Sequence, residues 1–456
     1  MHASVAERQA DGRARRKLVP RSSHADWSPG EDRADPVAVV QAANADRLQS
    51  LVPIRHGRMS TSAFAFYRGT ADIMAADLAA TPTSGLRAQI CGDAHLANFG
   101  FYRSPDRRLV FDLNDFDETL PGPWEWDVKR LAASFAVCAR HSGLGLSAAG
   151  RAARKATEAY RTAMHEFAEL RTLEVWYARL EADEIVARLP EAMRKQGERQ
   201  VRSWTGRDSI QASKKLTEEV DGERRIRSAP PELVPLRDID DTEFDVTRDQ
   251  MWAIVNDALD GYRRSLAPNR QVLIDRFDRL DVALKVVGVG SVGTRCWIVL
   301  FQGRDGDDPL FLQVKEAGRS VLEDHQPRSR FRHAGRRVVE GQQLMQASRD
   351  IFLGWTTGAA GRHFYVRQLR DGKGSIDTDR LNGTGIEGYA DVCGHTLARA
   401  HARSGDPVAI AAYLGSGDAF DRAVGEFAEA YADQAAEDHV RFLEAIDAGR
   451  LSAEID

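Results

Sequence analysis

Cysteine is scarce: four residues in 456, at positions 91, 138, 296 and 393, with no CxxC pair. That excludes a disulfide scaffold and a thiolate zinc centre, and it points to a reduced, cytoplasmic protein. No run of about 18 apolar residues occurs, so no membrane-spanning helix is expected. The basic residues near the N-terminus have no apolar segment behind them, so no secretory leader is expected either. Nor is there a basic excess: 63 Lys and Arg face 68 Asp and Glu, a formal net charge of −5. Without an overall basic field, nucleic acid is not expected as the main partner. What remains is an ordinary globular composition, 43% hydrophobic and 29% charged, in a chain long enough for more than one core.

Against that background two acidic strips stand out. The first is Cys91-Gly92-Asp93-Ala94-His95-Leu96-Ala97-Asn98-Phe99-Gly100, and the second is Phe111-Asp112-Leu113-Asn114-Asp115-Phe116-Asp117-Glu118. An Asp, an Asn five residues on, and a further Asp after a short hairpin is the order of a phosphotransferase site. In that reading Asp93 takes the proton of an acceptor hydroxyl. Asn98 and Asp115 hold Mg²⁺ on the ATP phosphates, with Asp112 the alternative ligand and Asp117 a second one. His95 belongs to the same group, as a brace for the loop. Taken singly, Asp93 reads as a turn residue and the Asp112–Asp117 run as an acidic surface turn. Their spacing is what makes them a set. Like charges this close are costly unless a cation sits among them.

A third strip lies far downstream. Val282 to Val287 is β-branched, Gly288-Val289-Gly290-Ser291-Val292-Gly293 follows, and Cys296 to Phe301 is strand-like again. After a turn at 303–308, a third strand ends at Lys315. A dinucleotide fingerprint joins a strand to a helix; here the glycines join two strands, and otherwise they are a plain hairpin turn. Strand, glycine loop, strand, turn and strand with a terminal Lys is the nucleotide lobe of a kinase. Gly288, Gly290, Ser291 and Gly293 would lie on the phosphates and Lys315 would neutralise them. Glu340, on a helix expected from His333 to Ala347, is the first choice to hold Lys315, with Glu323 and Glu316 behind it.

The remaining segments frame these strips. Residues 1–35 read as a flexible polar arm. Residues 36–260 read as a mainly helical catalytic lobe, with a short β-prone run at Ala63–Tyr67 and a helix at Ala71–Ala80. Residues 261–375 read as a β-rich nucleotide-binding lobe with further strands at Ile351–Trp355 and His363–Leu369. Residues 376–456 read as helices returning to the catalytic lobe. Arg55, Arg58 and Arg68 could hold phosphate or an anionic acceptor, or simply make salt bridges. Trp124 and Trp126 read as core, and Asp127 as a buttress of the catalytic loop.

The strips RHGRM, FYRG, GDAHLANFG and FDLNDFDE, the Lys214–Thr217 region, VGVGSVGTR and LARAHARSGD together resemble a bacterial domain-of-unknown-function family over about residues 30 to 445. That family is assigned to the kinase-like superfamily, and the catalytic strip also resembles that of HipA-type kinases. The Gly-Asp-Ala-His opening departs from the His-Arg-Asp of eukaryotic protein kinases. The resemblance implies Asp93 as base, Asn98 and Asp115 as metal ligands and Lys315 on the phosphates. Because the catalytic strip precedes the glycine loop, the order is circularly permuted, and the segment Gly394–Ala402 resembles the helix that leads into the catalytic loop of aminoglycoside-type phosphotransferases. The expectation is therefore an α+β, two-lobed protein-kinase-like fold with permuted order. It would be an ATP- and Mg²⁺-dependent phosphotransferase acting on an unidentified hydroxyl. AMP transfer on the same fold, a nucleotide-binding regulator without turnover, and a metal-dependent hydrolase using His95 and Asp112–Asp117 are the alternatives.

Overall fold

The computed structural model describes residues 3–188, 191–206, 208–239, 247–369 and 372–454. The fold is α+β. Strands β1 (Arg87–Ile90), β2 (Phe99–Arg103), β3 (Leu109–Leu113), β4 (Leu120–Pro123) and β5 (Leu180–Glu181) form two small sheets, β1–β4 and β2–β3–β5. Strands β6 (Thr217–Val220) and β7 (Glu223–Ile226) make a hairpin. The large sheet contains β8 (Leu233–Pro235), β9 (Asp278–Lys285), β10 (Cys296–Gln302), β11 (Pro309–Glu316), β12 (Gly354–Thr357) and β13 (His363–Gln368). Its order is β12-β13-β11-β10-β9-β8, antiparallel throughout.

Both faces of that sheet are covered, which explains its nearly unbroken apolar strands. Val282, Leu284, Val299, Phe301 and Leu312 lie in one cluster with Met251 and Tyr262 of the helix Arg248–Ser265. Their neighbours Ala283, Ile298, Leu300 and Phe311 lie in another, with Ala212 and Leu216 of the helix Ser209–Leu216. The period of two along a strand sends alternate residues to the two sides.

The larger core joins the small sheets to the helices Trp124–His141, Leu146–Glu169, Gly383–Ala402 and Ala419–Asp447. Alanines 132, 133, 136, 149, 152, 153 and 156 let these helices approach closely. Trp124 and Trp126 are buried among them, as expected.

Three expectations fail here. Residues 3–35 are not a loose arm. The helix Val5–Leu18 starts at a Ser4/Glu7 capping box and packs on the helix Pro407–Leu414. Gly12 lies so close to the Ala409 carbonyl that no Cβ would fit. The arginines that made the segment look solvated cap its partner: Arg16 and Arg21 donate to the Ala412, Tyr413 and Leu414 carbonyls. Arg33 then bridges the buried carboxylates of Asp77 and Asp438. The Ala63–Tyr67 run is the helix Ala63–Gly69, because Ser62 accepts the Ala65 N–H as its N-cap. The strand expected at 351–355 begins three residues later, at Gly354, because Asp350 turns the chain by accepting the Phe352 N–H.

Candidate functional site

The two acidic strips are the open ends of one hairpin. Pairing of Phe99 with Leu113 and of Gly100 with Asp112 brings Asn98 beside Asn114, whose N–H donates to the Asn98 carbonyl at 2.8 Å. Ser104–Arg108 close the far end, with Arg107 in the left-handed region at φ 67°. Asp115 and Asp117 follow just after β3 ends, clear of the strand.

The Asp93 loop is fixed from behind. Gly92 has φ +81°, and a Cβ there would lie 2.6 Å from the Glu118 carbonyl oxygen, so only glycine fits. Asp127 accepts the N–H groups of Cys91 (2.7 Å) and Gly92 (2.9 Å), and lies 3.1 Å from His401 Nε2. This is the buttress expected of it. Arg130 holds Asp93 Oδ1 at 2.5 Å from a site 2% exposed. Asn98 donates its amide N–H to the Asp93 carbonyl at 2.7 Å, which leaves its carbonyl oxygen as the group able to meet a cation. His95 is buried with Nε2 3.7 Å from Asp93 Oδ2, and burial pushes its imidazole down to about 4. It is therefore neutral near pH 7, which suits a bracing role better than proton transfer at that pH.

Lys315, at the end of β11, reaches this loop from 200 residues away. Its Nζ lies 3.2 Å from Asp115 Oδ2 and contacts Asp117 Oδ2. Tyr365 donates to Asp117 Oδ1 at 2.8 Å. Burial opposes ionisation of Asp115, but Lys315 and Arg367 outweigh it and hold its carboxyl below the ordinary range. Asp117 goes the other way, raised by burial and by Asp115. Glu118, raised to about 7 by burial, accepts the Val321 N–H at 2.7 Å.

One cleft of about 580 Å³ gathers Asp93, His95, Asn98, Asp115 and Asp117 with Gly288, Gly290 and Ser291. Gly293 closes the glycine loop at its far side. Gly288 and Gly293 have positive φ, and the loop's carbonyls are gripped: Arg58 donates to Gly288, Arg47 to Val292 and the Leu48 N–H to Gly293. Arg68 also lines the cleft, and its buried Nε has no hydrogen-bond partner among the described residues. Arg55 serves structure as well, donating to Asn44 and to the Gly69 carbonyl.

Two expected site residues are elsewhere. Asp112 is fully buried, ion-paired with Arg399 and accepting the Ala347 N–H. It lies within β3 and points into the lobe, not the cleft. Glu340 pairs with Arg336 at 3.2 Å, not with Lys315. Its helix, Ala334–Met345, instead turns Arg337 and Gly341 to the acidic loop, where Arg337 donates to the Asp117 and Thr119 carbonyls. Glu316 faces away from its neighbour Lys315 by strand alternation and pairs with Arg295 and Arg362, while Glu323 lies 4.0 Å from Arg337. Asp115 and Asp117 fill the role expected of a helix glutamate. The residues missed were Arg130, Arg337, Tyr365 and Arg367. Lys129-Arg130, directly before the apolar run Leu131-Ala132-Ala133, is a readable signal for the first; the others act only through tertiary contacts.

Among the described residues no three His, Cys, Asp or Glu side chains form a metal-holding group. Asp115 and Asp117 are nevertheless hard oxygen donors around one cation, the Lys315 ammonium, and Asn98 lines the same cleft. Mg²⁺ commonly takes one or two carboxylates and completes its shell with phosphates and water, so this donor set fits it.

Fold and site together define an α+β protein with an acidic hairpin and a lysine-bearing glycine-loop sheet meeting at one cleft. The chain belongs to the bacterial family described as "Uncharacterized protein conserved in bacteria (DUF2252)", whose model matches residues 47–445. No curated protein and no solved structure matches the chain. No helix among the described residues is long and apolar enough to cross a membrane.

Proposed function

We propose that this protein is an ATP- and Mg²⁺-dependent phosphotransferase of kinase-like build, with the catalytic half ahead of the glycine-loop half. One observation carries the reading: Lys315 meets Asp115 and Asp117 at the cleft that also holds Asp93, Asn98 and the glycine loop. The reversed order is supported by the chain's return to β1, where Ser404 Oγ accepts the Gln89 N–H at 2.9 Å just after the helix Gly383–Ala402.

In this reading ATP lies beneath Gly288–Gly293, and Lys315 swings to its phosphates. Asp115, Asp117 and Asn98 would hold Mg²⁺, which would supply charge to offset that of the phosphates. Asp93, fixed by Arg130, accepts the proton of the acceptor hydroxyl as that oxygen bonds to the γ-phosphorus. The bond from the γ-phosphorus to the β,γ-bridging oxygen breaks, and ADP leaves with the electron pair. Arg68 stands on the same wall to meet the negative charge in transfer. Positioning and electrostatics supply the catalysis.

Titration calorimetry with ATP and Mg²⁺, together with γ- and α-labelled ATP, tests this. Wild type should bind ATP saturably and pass on the γ-label. Asp93→Asn should abolish transfer while ATP affinity stays within about twofold, and Lys315→Ala should weaken ATP binding about tenfold. Absence of saturable ATP binding overturns the reading. An α-label on the product would replace phosphoryl by AMP transfer.

A further inference from the structure

A second cavity, of about 240 Å³, lies behind the acidic loop and shares no lining residue with the cleft. Asn114, the residue before Asp115, forms part of its wall. Five basic side chains line it: Arg103 at the end of β2, Arg107 from the β2–β3 turn, Arg349 after the helix Ala334–Met345, Arg367 from β13, and Lys373. Among the described residues Asp350 is the one carboxylate in the lining, and its oxygens are taken by backbone: the Gln368 N–H at 2.6 Å and the Phe352 N–H at 2.8 Å. Basic groups thus outnumber carboxylates among the described lining residues.

Other observations agree. The Arg103 Nε–H donor is buried without a hydrogen-bond partner among the described residues. Arg367 and burial together push the Lys373 ammonium down to about 7. A lysine crowded in this way gains when an anion arrives. Four planar guanidinium forks on one small cavity suit oxyanions that accept paired N–H donors, phosphate among them, and several basic groups together favour more than one negative charge.

We propose that this cavity is a binding site for a small phosphate-bearing polyanion, separate from the cleft. The proposal stands on the cavity alone and does not depend on phosphotransfer. Arg367 also donates to the Asn114 carbonyl at 2.8 Å, so an anion bound here touches the residue that leads into Asp115.

Pyrophosphate is the probe. Calorimetric titration of the full chain without nucleotide should show saturable binding. The double variant Arg107→Gln/Arg349→Gln should weaken it by about tenfold or more, since both side chains are exposed at the mouth and each loses a charge-assisted contact. The cleft variant Arg68→Gln should change it less than about twofold. A thermal melt shows whether each variant is folded, and Arg349→Glu alone gives a second reading should the double variant misfold. Failure to saturate, or loss of binding in Arg68→Gln with retention in the double variant, overturns the proposal. The second result would place the ion in the cleft. ATP affinity unchanged in Arg107→Gln/Arg349→Gln would separate this site from the nucleotide site directly.

Discussion

Lys315→Met should destabilise the protein and make its stability respond to Mg²⁺. The wild-type ammonium is 3% exposed and serves two carboxylates that are themselves only 29% and 28% exposed. Removing one partner from a buried ion pair costs about 3–5 kcal/mol, because the remaining charge stays desolvated. Here the lower end applies. Asp117 keeps its bond from Tyr365, and Asp115 keeps the Asp117 N–H. Asp117 can also take up a proton, which relieves its repulsion with Asp115. An unfolding entropy of about 2 cal/mol/K per residue over 456 residues converts 1 kcal/mol into about 1 °C for a single cooperative transition. The expected fall in Tm is therefore about 3 °C, read by calorimetry or near-UV circular dichroism. If the two carboxylates and Asn98 accept a divalent cation, Mg²⁺ should raise the Tm of Lys315→Met more than that of wild type. Lys315→Arg should keep most of the stability without Mg²⁺. Equal melting of Lys315→Met and wild type, or an equal Mg²⁺ shift in both, would refute the reasoning. The pH sign follows too. Asp115 is held below the ordinary carboxyl range in wild type, so its contribution is present above that range and lost as pH falls through it. Lys315→Met should lose that acid dependence.

Gly92→Ala forces a positive φ and a clash with the Glu118 carbonyl, so it should lower stability by about 2 kcal/mol or more, read as a lower urea midpoint at unchanged m-value. Asp112→Asn and Asp115→Asn should separate structure from site. The first leaves Arg399 buried without its ion partner and costs about 3 kcal/mol in urea melts while Mg²⁺-dependent ATP binding survives; the second folds and loses that binding. Lys129 is fully buried, its Nζ has no hydrogen-bond partner among the described residues, and burial pushes it down to about 7. The unfolded chain binds the extra proton between about pH 7 and 10, so wild-type stability should rise with pH across that window. Lys129→Met should be more stable at pH 7 by a few kcal/mol and should flatten the slope; an unchanged slope would count against a buried, neutralised lysine.

Much of the site was legible because its spacing is local. Asp93, Asn98 and Asp115 are set by a loop and a short hairpin, and Gly288–Gly293 by two flanking strands whose apolar runs are plain. What was not legible depends on contacts between distant segments. A carboxylate from a helix is one way to hold a lysine at a strand end, and the sequence offers Glu340 for it; the acidic hairpin supplies the partner instead. The N-terminal segment looked solvated because its charge pattern carries no record of the carbonyls that Arg16 and Arg21 cap, nor of the two aspartates that Arg33 bridges. Ala63–Tyr67 has β-prone aromatics, yet the Ser62 cap and burial of Phe64, Phe66 and Tyr67 override that propensity.

The division of labour between Asp112 and Asp115 follows from register. Side chains alternate along β3, so a one-residue slip against β2 would move Asp112 to the opposite, apolar face that Leu113 and Phe111 occupy in the core, and would part it from Arg399. It would also part Asn98 from Asn114 and so displace Asp115 from Asn98 and Lys315. The buried Asp112–Arg399 pair opposes that slip, since the slipped hairpin leaves Arg399 desolvated and unpaired. A buried ion pair adds little to stability relative to apolar packing, but it penalises this particular error strongly. Two aspartates three positions apart, which look like alternative metal ligands, therefore do different work: Asp112 sets the register that delivers Asp115 to the cleft. Asp112→Asn should accordingly weaken folding before it touches binding, whereas the reverse order of effects would mean that the hairpin is registered by other contacts.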